Sequence, residues 1–100
     1  MGRGWTGAMR DDEFEWDDRK AALNERDHGV TFEKARLAFD DTNSIDRLDP
    51  DADEERYKTL CRLDDRIFVV IWTTRGKRVR IISARPANKH EQQTYFRQEA

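Results

Sequence analysis

The chain is short and strongly charged: of its 100 residues, 40% are Asp, Glu, Lys or Arg, and the mean hydropathy is −1.06. This length predicts one small domain, and the small share of apolar residues predicts a compact core. The longest apolar run, residues 67–72, is far shorter than the roughly 20 residues that a transmembrane helix needs. The sequence therefore excludes a membrane-spanning helix.

Charge is distributed unevenly along the chain. Residues 11–65 contain 19 acidic and 9 basic residues, whereas residues 66–100 contain 8 basic and 2 acidic residues. The net charge of −2 therefore hides a basic C-terminal third. The local field of such a segment, rather than the net charge, would attract an anionic ligand.

The N-terminal residues and the single cysteine bear on location. Residues 1–10 lack the apolar stretch of a secretion signal. We expect residues 1–12 to be a flexible leader, with Met9 as an alternative start, and residues 13–100 to form a single domain. Cys61 has no second cysteine with which to form an intramolecular disulfide, which fits a reducing compartment. The expected location is the cytoplasm, without a membrane partner.

The first half of the chain predicts a short strand followed by two helices. The strand covers residues 14–16, and Asp17 is a good N-cap for a helix over 18–27, which Gly29 ends. Thr31 caps a second helix that runs to about residue 39 and follows the amphipathic period. The acidic stretch that follows is mostly loop, with an edge strand at residues 44–48.

The second half predicts three strands and a final helix. The strands cover residues 56–63, 67–74 and 77–85, and the middle one is apolar on both faces, which indicates a central strand. Asn88 and Glu91 have the spacing of a capping box and begin the last helix. The fold class that we predict is α+β: a small antiparallel β-sheet of about four strands, two N-terminal helices and a C-terminal helix.

The last predicted strand carries candidate phosphate ligands. Successive strand residues point to opposite faces, so one face should carry Arg78, Arg80, Ile82 and Ala84, and the other Val79, Ile81, Ser83 and Arg85. Arginine suits phosphate because its guanidinium is planar, permanently charged and able to donate two parallel hydrogen bonds. Arg80 and Arg85 are the candidates, with Lys77 at the beginning of the strand. An ordinary solvated sheet face explains these residues equally well.

His28 is the candidate acid or base, because an unperturbed imidazole titrates near neutrality. Lys20 and Asn24 precede it at intervals of four, so all three should lie on one face of the first helix. The structural alternative is a histidine that interacts with the helix dipole at the end of a solvated helix. His90, at the start of the last helix, is expected to be a surface residue.

Metal and cofactor sites are not indicated. One cysteine and two histidines are too few for a structural zinc site, and the chain has no glycine-rich phosphate loop. We expect neither a metal nor a cofactor.

Two segments together resemble a known family. They are FEWDDRKAALNERDHGV at residues 14–30 and VIWTTRGKRVRIISARPA at residues 70–87, the second followed by Glu91 and Tyr95. These segments resemble the BrnT family of bacterial type II toxins, which is similar in fold to the RelE and ParE toxins. The resemblance covers roughly residues 13–95, and the two segments are specific in combination.

The resemblance implies a ribonuclease toxin that cleaves RNA and inhibits translation. It also implies neutralisation by a BrnA-like DNA-binding antitoxin, and operator DNA as a ligand of the toxin–antitoxin complex. The site residues that it implies are Lys20, Asn24, His28, Arg80, Ser83, Arg85, Glu91 and Tyr95. Asp27 and Pro86 stand where the family pattern has basic residues, and a weakened toxin is one interpretation of that difference.

RNA cleavage without a metal can use the 2′-hydroxyl of RNA as the nucleophile, so the protein must orient the sugar and stabilise the charged phosphorane. Our hypothesis assigns the phosphate to Arg80 and Arg85, and the base role to His28 or Glu91. Further roles are positioning or acid catalysis for Tyr95 and Lys20, and RNA binding for Lys20, Asn24, Lys77 and Ser83.

Two other interpretations stay open. One is a non-catalytic nucleic-acid-binding or protein-interaction module, whose basic strand only binds phosphate backbones. The other makes the acidic half a docking surface for a basic arm of an antitoxin, where complementary charge would raise the association rate more than the affinity.

Overall fold

The computed structural model describes residues 8–10, 13–50, 52 and 54–98, with side chains from residue 13 onwards. In this part of the chain, three helices pack on a six-stranded sheet. The strands are β1 (Ala8–Arg10), β2 (Phe14–Asp17), β3 (Ile45–Leu48), β4 (Tyr57–Leu63), β5 (Arg66–Arg75) and β6 (Arg78–Pro86). The helices are α1 (Asp18–His28), α2 (Phe32–Ala35), which continues as a 3₁₀ turn over Arg36–Asp40, and α3 (Lys89–Arg97). The predicted α+β class is confirmed.

β1 lies within the segment that we predicted to be a leader. The rest of that segment, residues 1–7, 11 and 12, lies outside the described residues. The division of the chain into a leader and a domain at residue 12 therefore stays a prediction.

The helix ends follow from local sequence, as predicted. The Asp17 carboxylate accepts hydrogen bonds from the backbone N–H of Arg19 at 2.8 Å and of Lys20 at 3.2 Å, which begins α1. Gly29 has φ +74°, and its N–H donates to the carbonyl of Glu25 at 2.8 Å, which ends the helix. The capping box of α3 is present on both sides.

The sheet differs from the prediction in strand number and direction. Its strand order is β1-β2-β6-β5-β4-β3, with β2 and β6 parallel and the other neighbours antiparallel. An antiparallel sheet of about four strands was therefore wrong for the described chain. The reason is that β2 is too short for its sequence to reveal a partner. It pairs with the far end of the domain, where the N–H of Val79 donates to the carbonyl of Glu13 at 2.8 Å.

The two faces of the sheet carry separate apolar clusters. β5 lies between β4 and β6. Its consecutive residues Val69 and Val70 are both fully buried, and their side chains lie on opposite faces of the sheet. The side that we name the α1 face packs Val70 with residues of α1 and α2, among them Ala21, Phe32 and Ala35. The opposite side, the α3 face, packs Val69 with Leu60, Ile67, Ala87 and Tyr95.

An irregularity in β6 changes which residues share a face. Trp72 pairs with Ile81 and Ile71 pairs with Ser83, so Ile82 is an extra residue, a β-bulge. Arg80 lies opposite Thr73 and Arg85 opposite Val69, and those two β5 residues are four apart and so on the same face. Arg80, Ser83 and Arg85 therefore belong to the α3 face. The predicted separation of Arg80 from Arg85 onto opposite faces was wrong, because alternation breaks at the bulge.

Candidate functional site

Arg85 and Glu91 form a two-pronged ion pair where β6 leads into α3. The two Nη atoms of Arg85 each donate to a different carboxylate oxygen of Glu91, both at 2.9 Å. Arg85 Nη1 also donates to the carbonyl of Pro86 at 3.3 Å. The same carboxylate accepts the N–H of Asn88 at 2.8 Å, so one side chain both caps α3 and holds the guanidinium. These hydrogen bonds fix the orientation of the Arg85 guanidinium.

The pair perturbs both titrating groups. The hydrogen bonds from Arg85, helped by the Asn88 N–H, lower the pKa of Glu91, although partial burial opposes them. The bonded Glu91 in turn raises the pKa of Arg85 against the effect of burial. Glu91 therefore stays ionised at neutral pH and is a weak proton acceptor, which suits a positioning role better than a base role.

Arg80 is also paired with a carboxylate. Its Nη1 donates to Glu15 Oε2 at 2.7 Å, and the two residues face each other across the parallel β2–β6 ladder. The β5 partners of Arg80 and Arg85 are four residues apart, which corresponds to about 13 Å along the strand. As each guanidinium is held at its own carboxylate, the two do not converge on one phosphate in this arrangement.

Asn24 and Ser83 come together, but they form an internal contact. Asn24 is only 7% exposed, and its Oδ1 accepts from the N–H of Ala84 at 3.0 Å and from Ser83 Oγ at 3.3 Å. Its Nδ2 donates to the carbonyl of Val30 at 3.1 Å. β2 pairs with β6 only at Val79 and Arg80, and beyond that point the Asn24 side chain bonds the backbone of β6 as a neighbouring strand would. It thereby fastens α1 to the sheet.

Tyr95 is buried and serves as an anchor for α3. It is 5% exposed, and its hydroxyl donates to Asp41 Oδ2 at 2.7 Å. Burial, together with this hydrogen bond to a carboxylate, raises the pKa of Tyr95 to about 12. Burial alone would raise the pKa of Asp41, but the bonds from Tyr95 and from the N–H groups of Arg62 and Asn43 outweigh it and lower that pKa. At neutral pH, Tyr95 therefore keeps its proton and Asp41 stays ionised, so the hydroxyl donates to a carboxylate.

Three other predicted site residues are exposed and separate from these pairs. Lys20 lies in the first turn of α1, His28 is its last residue, and Lys77 lies in the turn between β5 and β6. In the described chain, no hydrogen bond or ion pair joins any of them to an arginine of β6. α1 packs on the α1 face through Ala21, whereas Arg85 belongs to the α3 face. The structure thus brings Arg85 and Glu91 together and does not bring His28 to them.

Sequence reasoning missed a second group of basic residues on the α3 face. Arg47, Lys58 and His90 line a cavity next to Glu91. His90 is exposed, as predicted, but it lies at this cavity rather than on a featureless surface. Lys58 lies two residues before the buried Leu60, so alternation along the strand could have predicted that the two side chains share a face. The pairing of β3 with β4 could not be derived, because an acidic loop separates them in sequence.

A family model described as "Ribonuclease toxin, BrnT, of type II toxin-antitoxin system" matches residues 16–91. The chain belongs to the BrnT family. The match includes both strands of the β5–β6 hairpin and the whole of α1, and it ends at Glu91. Membership in this family implies RNA as the substrate and an antitoxin as the partner. No curated protein matches the chain.

Among the described residues, no group of three or more His, Cys, Asp or Glu side chains is placed so that it could hold a metal ion. None of the described helices is long and apolar enough to cross a membrane.

Proposed function

We propose that this BrnT-family chain is a metal-independent endoribonuclease that inhibits translation in the cytoplasm and uses the 2′-hydroxyl of RNA as the nucleophile. The observation that carries the proposal is the Arg85–Glu91 pair on the α3 face. A guanidinium fixed by two hydrogen bonds at the end of a rigid strand is oriented before substrate arrives. Such preorganised donors are the main source of transition-state stabilisation at a phosphate.

Arg85 keeps donors available for a phosphate. A guanidinium has five N–H donors, and the bonds to Glu91 and Pro86 use only some of them. We assign Arg85 to the scissile phosphate and Arg80 to a phosphate further along the strand, since the two arginines lie about 13 Å apart along β6. Glu91 orients Arg85, and Tyr95 holds α3, and with it Glu91, in position.

Proton transfer is the less constrained part of the mechanism. Our hypothesis keeps His28 as the base, because its imidazole is exposed at the end of α1, one turn beyond Asn24. The base must come within hydrogen-bond reach of the 2′-hydroxyl beside the scissile phosphate, so this role requires His28 and Arg85 to approach each other around the edge of β6 that Asn24 covers when RNA binds. Lys20, Lys77 and Ser83 would contact RNA along this path.

The partner that we propose is a BrnA-like DNA-binding antitoxin, with operator DNA bound through the complex. The support is a cleft between α1 and α2 whose charged lining residues, Asp18, Glu25 and Glu33, are all acidic and exposed. A basic arm of the antitoxin would meet complementary charge there, which raises association rates most strongly.

One observation favours a non-catalytic alternative. Both candidate arginines of β6 are neutralised by carboxylates, Arg80 by Glu15 and Arg85 by Glu91. A nucleic-acid-binding or protein-interaction module needs no group for proton transfer, so this pairing would not disable it. Such a module would bind RNA with a steep salt dependence and leave the RNA intact.

Incubation of the purified chain with total RNA at neutral pH in EDTA separates the two functions. We expect cleavage, and products ending in a 2′,3′-cyclic phosphate, because the 2′-hydroxyl attacks its own phosphate. Arg85→Gln should lower the rate by roughly 10²–10³, the usual cost of losing one stabilising donor. The matched control is Arg66→Gln, which removes the same charge from the exposed start of β5. Intact RNA from folded wild-type protein would support the binding module instead.

A further inference from the structure

A small cavity lies beside the Arg85–Glu91 pair, between the sheet and the start of α3. Its volume is about 140 Å³. Its apolar part is formed by Leu60 and Val69, both buried, and Val69 lies directly opposite Arg85 in the β5–β6 ladder. Arg47, Lys58 and His90 contribute its polar part.

Two of these cations stand directly opposite each other. Arg47 and Lys58 are partners in the antiparallel ladder between β3 and β4. The Cβ atoms of such partners are about 4.5–5.5 Å apart, and like charges at this spacing destabilise a sheet. In the described part of the chain, neither residue forms an ion pair with a carboxylate. The sheet therefore carries two adjacent positive charges, and no described acid forms an ion pair with either of them.

The one carboxylate in the cavity is already occupied. Glu91 Oε1 accepts the N–H of Asn88 at 2.8 Å and Arg85 Nη1 at 2.9 Å, and its Oε2 accepts Arg85 Nη2 at 2.9 Å. Lys58 acts on Glu91 only through its charge, without a hydrogen bond. Because Glu91 neutralises Arg85, the charges of Arg47 and Lys58 remain, and the cavity together with the ion pair is net positive.

We propose that this cavity is a subsite for a phosphate of bound RNA, next to the scissile phosphate on Arg85, and this rests on the proposed function. Arg47 and Lys58 donate to the phosphate oxygens, and His90, which lines the same cavity, adds a third donor. The sugar of the same nucleotide packs on Leu60 and Val69. A drug-sized ligand needs roughly 300–1,000 Å³, so this smaller cavity fits one phosphate with part of its sugar.

The first test measures binding without cleavage. A fluorescent oligonucleotide of fully 2′-O-methylated RNA cannot supply the nucleophile, so its anisotropy reports affinity alone for the full chain. We expect Lys58→Gln and Arg47→Gln each to weaken binding about tenfold at low salt. Each should also reduce the slope of log affinity against log salt by about 0.7, the value for one lost phosphate contact on a single strand.

The matched control removes one positive charge from another part of the same sheet. Arg66 lies at the start of β5, where its guanidinium is 5.4 Å from the Phe68 ring centroid, and it does not line the cavity. Arg66→Gln should leave affinity and salt slope close to those of the wild type. Equal losses in Arg66→Gln and Lys58→Gln would overturn the subsite, since binding would then depend only on total charge.

The second test locates the anion. Inorganic phosphate added to the ¹⁵N-labelled full chain should shift the amide resonances of Leu60 and Val69, and the Arg47→Gln/Lys58→Gln double variant should lose these shifts. Phosphate shifts confined to other parts of the chain would refute the subsite. A wild-type chain that shows these shifts and leaves RNA intact would refute the ribonuclease activity and uphold an anion site here.

Discussion

Replacement of Asn24 tests whether this residue belongs to the fold or to the RNA site. The change Asn24→Ala leaves two backbone groups in a buried environment without partners, the N–H of Ala84 and the carbonyl of Val30. Each such group costs about 1–3 kcal/mol. We therefore expect a loss of about 2–4 kcal/mol, a large part of the roughly 5–15 kcal/mol that stabilises a small domain.

The assay is equilibrium unfolding in urea, with two companion variants. Ser83→Ala removes only the longer 3.3 Å bond to Asn24 and should cost about 1 kcal/mol or less. Gln93→Ala changes an exposed position of α3 and should stay within about 0.5 kcal/mol of the wild type. The expected order of stability is therefore wild type and Gln93→Ala, then Ser83→Ala, then Asn24→Ala.

A contrary result would be clear. If Asn24→Ala unfolds at the same urea concentration as the wild type, its hydrogen bonds do not hold α1 to β6. If the same folded variant also fails to bind 2′-O-methylated RNA, the side chain contacts RNA, as the family resemblance implies.

Three further outcomes follow from the site. Lys58→Gln should raise the free energy of unfolding by about 0.2–1 kcal/mol without ligand, since it removes a like-charge pair, and a lower urea midpoint would contradict this. The depressed pKa of Glu91 means that its pair with Arg85 stabilises the fold above the unfolded pKa near 4.5 and is lost as pH falls through the folded pKa. Wild type should thus lose more stability than Glu91→Gln on acidification, and parallel curves would count against the pair. Tyr95→Phe should cost about 1.5–3 kcal/mol through the lost bond to Asp41, with RNA cleavage kept by the folded protein.

Local sequence was sufficient for the parts of the fold that depend on neighbours in the chain. The caps at Asp17 and Asn88 and the end of α1 at Gly29 are each determined within four residues, and all three were predicted correctly. The strand pairings are not local. β2 joins β6 across more than sixty residues, and nothing in a four-residue strand specifies that partner or its parallel direction.

The candidate site divides in the same way. Glu91 was predicted both as a cap and as a site residue, and the structure unites the two roles through Arg85, which lies six residues before it. Arg47 and Lys58 were missed because their significance depends on facing each other. That pairing exists only after the acidic loop has returned the chain antiparallel to itself.

The bulge at Ile82 shows why the faces of a strand cannot be derived from alternation alone. One extra residue transfers every later side chain of β6 to the opposite face, so Arg85 moves from the α1 face to the α3 face and meets Glu91. No glycine marks the position, and Ile82 itself is ordinary strand sequence. With regular alternation Ala84 would exchange faces with Arg85, and a fully buried alanine position would have to hold a charged arginine. The bulge therefore keeps Ala84 in the core and places Arg85 beside Glu91. It orients the site although it contributes no functional group to it.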